Sequence, residues 1–195
     1  MDPLRTARLS LEEITLPLVE AVLADKPREV ERLADARLAD RWPGRALIER
    51  AFCASIERIR AAPTERLWGD RLMIETGADG ERHIVGSVVF HGAPDAHGEV
   101  EIGYGVEASR QGMGYGAEAV CAVVDWALEQ PEVRRVAAAT FPWHTASIRI
   151  LRRAGMLPCG TREHDMLGDL LLFERVAGAA RASQPTPSQP AFAHR

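Results

Sequence analysis

From Leu16 to about Ala61 the apolar positions recur with a helical period, and from Leu67 to Val106 they fall in short β-rich runs. Ala7 to Leu11 predicts a short first strand, and Leu16 to Leu23 a helix. Pro27 to Leu38 predicts a second helix, with Pro27 suited to a first helical turn. Trp42-Pro43-Gly44 breaks the pattern, and from Arg45 to about Ala61 a stripe of Leu47, Ile48, Ala51, Phe52, Ile56 and Ile59 predicts a third helix that Pro63 ends. Leu67 to Glu75 and His83 to Phe90 are β-rich runs whose Asp79-Gly80 connection favours a tight reversal. Glu99 to Val106, with Val100, Ile102, Tyr104 and Val106 alternating, completes three successive antiparallel strands.

A glycine-rich turn then opens a long helix from about Gly114 to Glu129, which buries Ala119, Val120, Val123, Val124, Ala127 and Leu128 and stops at Pro131. A strand from Arg135 to Thr140, a helix from Thr145 to Ala154 closed by Gly155, and a strand pair at Met156 to Glu163 and Leu170 to Arg175 follow. The organisation read from this is one α/β domain over residues 1–177. The Ala, Ser, Gln and Pro residues of 178–195 form a tail too poor in apolar groups to order.

At 195 residues with 46% hydrophobic and 27% charged positions, the chain has the composition of one globular domain. A net charge of −4 gives no pull toward nucleic acid or an anionic membrane, so neither is expected as a partner. Lys26 is the only lysine and asparagine is absent, as a GC-rich genome would produce. Lys26 stands in Asp25-Lys26-Pro27 without flanking glycines, which excludes a Walker-type phosphate loop and disfavours Schiff-base catalysis. Cys53, Cys121 and Cys159 are scattered and odd in number, no signal peptide opens the chain, and no apolar run reaches membrane length. A reduced cytoplasmic protein with buried cysteines is expected. The histidines lack ligand spacing, so no metal site is expected.

Val106 to Ala117, running from a strand end into a helix start, holds Gln111-Gly112-Met113-Gly114-Tyr115-Gly116. Glycines let successive N–H groups point inward, and the helix N-terminus adds partial positive charge, so such a turn captures an anion such as pyrophosphate without lysine. Gly112, Gly114 and Ala117 also fit GxGxxG/A. A dinucleotide fold would place that fingerprint after the first strand of a parallel sheet, and here three antiparallel strands precede it.

Gln111, Gly114 and Gly116 match Q/RxxGxG/A, and the chain over residues 5–175 resembles the GNAT (GCN5-related) N-acetyltransferase family, closest to its RimJ/RimL-type branch. Glu101-Ile102-Gly103-Tyr104, Gly114-Tyr115-Gly116-Ala117-Glu118-Ala119, and His144-Thr145-Ala146-Ser147 before Gly155-Met156 carry the likeness. The resemblance implies the GNAT fold, a mixed and mostly antiparallel sheet flanked by helices with a splay between its fourth and fifth strands. It also implies acetyl-CoA as co-substrate and transfer to a primary amine. The backbone of Tyr104, Gly105 and Val106 would meet the acetyl and pantetheine groups. Gln111, Gly112, Met113, Gly114, Tyr115, Gly116 and Ala117 would hold the pyrophosphate, with His144 and Ser147 at the cofactor arm.

Departures from the family pattern are Ala108 where proline is common, Arg110 for an aromatic, His144 for asparagine, Met156 for phenylalanine, and Leu151 where many members carry an acidic tyrosine. Arg110 could reach a CoA phosphate. Glu101 is the first candidate for the catalytic base, the alternative being a carboxylate in a surface ladder with Glu99 or in a structural ion pair. Ser147 is the catalytic candidate for assisting the leaving thiolate, or else a helix cap. Glu163, His164 and Asp165 are further base or acceptor-site candidates, and Trp143 either walls the acceptor cleft or packs. The acceptor is a small-molecule amine or a peptide or protein N-terminus. Arg37, Arg41, Arg45 and Arg50 suit a carboxylate-bearing one or form a solvated face. A homodimer is compatible with the sequence. The rivals are a CoA-binding sensor without turnover and an acyltransferase for longer chains.

Overall fold

The computed structural model describes residues 3–38, 56–163 and 168–178. The expectations for residues 39–55, among them Arg41, Arg45, Arg50 and Cys53, for His164 and Asp165, and for the tail from 179 onward lie outside the described residues. The strands are β1 (Leu4–Arg5), β2 (Leu9–Glu13), β3 (Arg71–Thr76), β4 (Arg82–Phe90), β5 (Glu99–Val106), β6 (Arg135–Thr140), β7 (Leu157–Arg162) and β8 (Leu170–Val176). The helices are α1 (Leu16–Leu23), α2 (Pro27–Ala34), α3 (Ile56–Ala61), α4 (Pro63–Arg66), α5 (Tyr115–Glu129) and α6 (Thr145–Arg153). The sheet order is β1-β2-β3-β4-β5-β6-β8-β7, and every pairing is antiparallel except β5 with β6.

Each face of the sheet buries its own apolar cluster. Ala119, Val120, Val123, Val124 and Ala127 of α5 pack with Leu151, Val88, Ile102, Val136 and Phe173 on one face. Leu18, Val19 and Val22 of α1 and Val30 of α2 pack on Leu72, Ile74, Ile84 and Val89 on the other. Val100 and Ile102 belong to the α5 side, so strand alternation turns Glu99 and Glu101 toward the opposite face.

Three boundaries differ from expectation, each through a local backbone bond. The first long strand starts at Leu9, because Thr6 and Leu9 close a turn (Thr6 N to Leu9 O 2.9 Å) that pairs β1 with β2. Helix α2 ends at Ala34, where Asp35 takes a left-handed conformation and Arg37 leaves to bond β4 (Arg37 N to Arg82 O 2.7 Å). β3 starts at Arg71 rather than Leu67, because Asp70 N–H closes a turn on Leu67 O. The Asp70 carboxylate accepts the Phe90 N–H at 2.6 Å, and burial pushes its pKa well up.

β5 and β6 pair only from Glu99 with Arg135 to Ile102 with Ala138. Beyond that point Gly103 to Val106 follow β4, while Ala139 and Thr140 follow β8. The two strands therefore diverge, and the expected splay opens at Gly103. It lies between the fifth and sixth strands in this count, since the two-residue β1 precedes the strand expected first.

The cysteines correct the expectation of burial. Cys121 on α5 is half-buried, and Cys159 is exposed because β7 is an edge strand whose residues are all exposed. Among the described residues no helix is long and apolar enough to cross a membrane.

Candidate active site

The divergence of β5 and β6 opens a cleft of about 490 Å³. Tyr104, Gly105 and Val106 of β5 form one wall, and His144 with Ser147 at the start of α6 the other. Arg110, Gln111, Gly112, Gly114, Tyr115, Gly116 and Ala117 close one end, where α5 begins. The sequence placed all of these at the site. Met113 is the exception, since it turns its side chain outward at 49% exposure and its carbonyl accepts from Arg8 at 2.9 Å. Ala146, Arg149, Ile150 and Arg153 also line the cleft and were not anticipated. Their signal is the helical spacing of 146 with 150 and of 149 with 153 on α6, readable once Ser147 is placed on the cleft side.

The end of the cleft has the geometry of an anion cradle. Gly114 caps the 15-residue α5 in a left-handed conformation (φ +87°), and Gly112 is left-handed too (φ +77°), so the first N–H groups of α5 open toward the cleft. The loop is held by its own side chains. Gln111 Nε2 donates to the Val106 carbonyl at 3.1 Å. Buried Glu107 accepts from the Ser109 hydroxyl and from its amide at 3.0 Å. Burial pushes the Glu107 pKa up, but the Ser109 bonds outweigh that and hold the carboxyl below its usual range. These bonds order the loop without the proline whose place Ala108 takes.

Charged side chains fasten the cradle to segments distant in the chain. Glu75 of β3 accepts from the Tyr115 hydroxyl and from Arg110 Nη1 at 2.8 Å. Arg110 is thus committed to Glu75 while still lining the cleft. Glu118 of α5 accepts from Thr6 at 2.6 Å and from Arg8 Nε at 2.8 Å, and Arg8 stacks over the Tyr115 ring at 4.5 Å. Glu75 and Arg8 were not legible in sequence, because they meet the loop from 35 and 105 residues away.

The hydroxyl of Ser147 does not cap α6. It lies 2.7 Å from the Tyr104 hydroxyl, which also reaches the Ser147 carbonyl oxygen at 3.3 Å. Leu151, which stands where many relatives carry tyrosine, is fully buried in the core.

Glu101 lies across the sheet from this pair. Both of its oxygens accept from Arg162 (2.9 and 3.1 Å), and His91 Nδ1 is 3.8 Å away. Partial burial pushes the Glu101 pKa up, yet the Arg162 hydrogen bonds and the His91 charge bring it below the usual glutamate range. The ion-pair alternative for Glu101 is therefore present in the structure. Glu99 joins Arg135, which also holds Glu174 at 3.0 Å. Trp143 is 69% exposed and stacks on Phe141 with centroids 5.1 Å apart, so it does not pack into the core. Arg37 is solvated beside Glu81, and Glu163 is exposed. Among the described residues no group of three or more His, Cys, Asp or Glu is placed to hold a metal.

A mixed sheet whose one parallel pair splays beside a helix-capped anion cradle defines an acyl-CoA transferase architecture. Residues 8–157 match the model of the acetyltransferase (GNAT) domain, and the chain belongs to the GNAT acetyltransferase family. It is 27% identical over 164 residues to the uncharacterized N-acetyltransferase YjdG of Bacillus subtilis, covering 79% of this chain and 89% of that one. Its fold is similar to the ribosomal-protein-S5-alanine acetyltransferase of Vibrio fischeri (TM-score 0.61, 14% identity, 91% of this chain and 98% of that one). It is also similar to RimL, a ribosomal L7/L12 alpha-N-protein acetyltransferase solved with coenzyme A (TM-score 0.59, 16% identity, 90% and 98%). These likenesses agree with the fold that the motifs at Glu101–Tyr104 and Gly114–Ala119 imply.

Proposed function

We propose that this protein transfers the acetyl group of acetyl-CoA to a primary amine by direct attack within a ternary complex. The carrying observation is the cleft itself, which joins an anion cradle at the α5 N-terminus to a strand edge that loses its partner beyond Ile102. The N–H groups from Gly112 to Ala117 suit the pyrophosphate. The freed edge of β5 at Gly103 to Val106 suits the amides of the pantetheine arm, and a β5 N–H beside the carbonyl supports the oxyanion. Holding thioester and amine together supplies the rest of the rate through positioning.

Attack requires a neutral amine, so a proton acceptor belongs on the acceptor side. Glu101 stays ionised across neutral pH, and an incoming ammonium competes with Arg162 for it. The amine then sheds its proton to Glu101 directly or through water. The acceptor is a small amine or a peptide N-terminus.

Incubation with acetyl-CoA and a panel of polyamines, aminoglycosides and alpha-amino peptides should release CoA thiol with at least one acceptor class. Ser147→Ala and Glu101→Gln should each lower kcat by about tenfold or more while CoA binding persists. No thiol release together with no CoA binding by calorimetry overturns the proposal. CoA binding without release from any acceptor favours the sensor reading.

Arg149 and Arg153 stand one helical turn apart on α6 at the edge of the cleft, where two guanidinium groups suit a phosphate of the nucleotide. Replacing both with alanine should raise the KM for acetyl-CoA roughly tenfold at low salt, with kcat little changed. Both groups are exposed, so the difference should shrink at about 1 M salt, where the screening length is near 3 Å. Steady-state kinetics at two ionic strengths measures this.

A further inference from the structure

Tyr104 is the second residue of β5 beyond the divergence, after Gly103, with its ring packed on the α5-side core, and its hydroxyl crosses the cleft to α6. Two hydroxyls 2.7 Å apart share one hydrogen bond, so of their two protons one remains to be donated elsewhere. Among the described residues that proton has only the Ser147 carbonyl oxygen at 3.3 Å, a long and weak contact. A stronger acceptor entering the cleft would take it.

We propose that Tyr104 is a catalytic residue that donates this hydrogen bond to the thiolate sulfur as it leaves, with the Ser147 hydroxyl donating to Tyr104 and fixing its direction. The inference rests on the acetyl-CoA reading and deepens it. It places the acid-side hydroxyl on β5, facing α6, whereas Leu151 on α6 carries none and is buried.

The step balances without a further reactant. The amine nitrogen forms a bond to the thioester carbonyl carbon, the carbon–sulfur bond breaks, and its electron pair leaves on sulfur. Tyr104 keeps its proton covalently and shares it as a hydrogen bond. Burial pushes the phenol up to about 12, only partly offset by Ser147, well above a thiol's ~8.5, so outright transfer to sulfur is uphill. The proton that the amine has shed is the one that finally neutralises the thiolate. Tyr104 is the stronger donor of the pair, since a phenol is more acidic than an aliphatic hydroxyl.

Two measurements test this. Tyr104→Phe keeps the packed ring and should lower kcat by roughly 30-fold or more with the KM for acetyl-CoA within about twofold. Ser147→Ala should cost less, and the double variant should match Tyr104→Phe alone, because Ser147 acts through Tyr104. The second readout needs no turnover. At about pH 10, where much of free CoA is thiolate, the unaltered protein should bind CoA about tenfold more tightly than desulfo-CoA, and Tyr104→Phe should erase that preference. The charged or titratable groups lining the same cleft are Arg110, Arg149, Arg153, Tyr115 and His144. They are present for both ligands, and Tyr115 and Arg110 are tied to Glu75, so the comparison cancels them. A preference or a kcat unchanged in Tyr104→Phe overturns the assignment and leaves the pair a strut between β5 and α6. Binding of neither ligand by the unaltered protein overturns the acetyl-CoA reading as well.

Discussion

Gly114→Val should weaken acetyl-CoA binding by more than about 30-fold, measured by calorimetry, while the protein stays folded. Gly114 sits at φ +87° as the cap of α5. A left-handed L-residue costs roughly 1–2 kcal/mol, and a β-branched one belongs at the upper end. About 2 kcal/mol is a factor of roughly 30 in an equilibrium. The valine loop escapes the strain by rotating away in the free protein, so binding must restore it. The side chain also occupies the neighbourhood of Arg8, whose Nη2 lies 3.3 Å from the position a Cβ would take. Unchanged affinity would mean that the cradle is not the phosphate site.

Gly86→Ala should instead unfold or loosen the scaffold. A Cβ there would lie 2.3 Å from the Gly105 carbonyl oxygen and 3.1 Å from Val106 Cα, both backbone atoms that no rotamer can move. β4 and β5 approach closely here, opposite Gly86 and Val106, beside the irregular register of β3 at Met73 and Ile74. Overpacking of this kind costs about 3 kcal/mol, or roughly 6–12 °C in Tm for a domain of this size. The strand pushed aside is the wall of the cleft, so residual folded protein should also bind acetyl-CoA poorly. Thermal unfolding together with ligand titration checks both halves, and a Tm within about 2 °C of the unaltered protein would contradict the close approach.

Much of the architecture was readable because the two periodicities are clean. Val100, Ile102, Tyr104 and Val106 alternate, and Ala119, Val120, Val123, Val124 and Ala127 repeat on a helix, so both elements fell where expected. The boundaries at Leu9, Asp35 and Arg71 were not, since each depends on one bond between residues whose types admit several conformations. The glycine turn was legible because its chemistry is backbone chemistry, and backbone follows local sequence. What the sequence concealed was side-chain meeting across distance. Nothing near Tyr104 announces that its hydroxyl finds Ser147, 43 residues on, and nothing near Glu75 announces that it fastens both Tyr115 and Arg110. Glu101 is the mirror case. Its place beside the expected splay marked it as the candidate base, and only the fold shows that Arg162, 61 residues away, already holds both oxygens.

The single parallel pairing has a kinetic meaning. β3 and β4 close through a short reversal, whereas β5 can meet β6 only after α5 has been laid across the sheet, joining residues as far apart as Glu99 and Arg135. A joint of that separation bears more loop-closure entropy than a hairpin does and forms later than one. The cleft is built at that joint, so a ligand lodged there recognises only the completed chain and draws folding to its end by mass action.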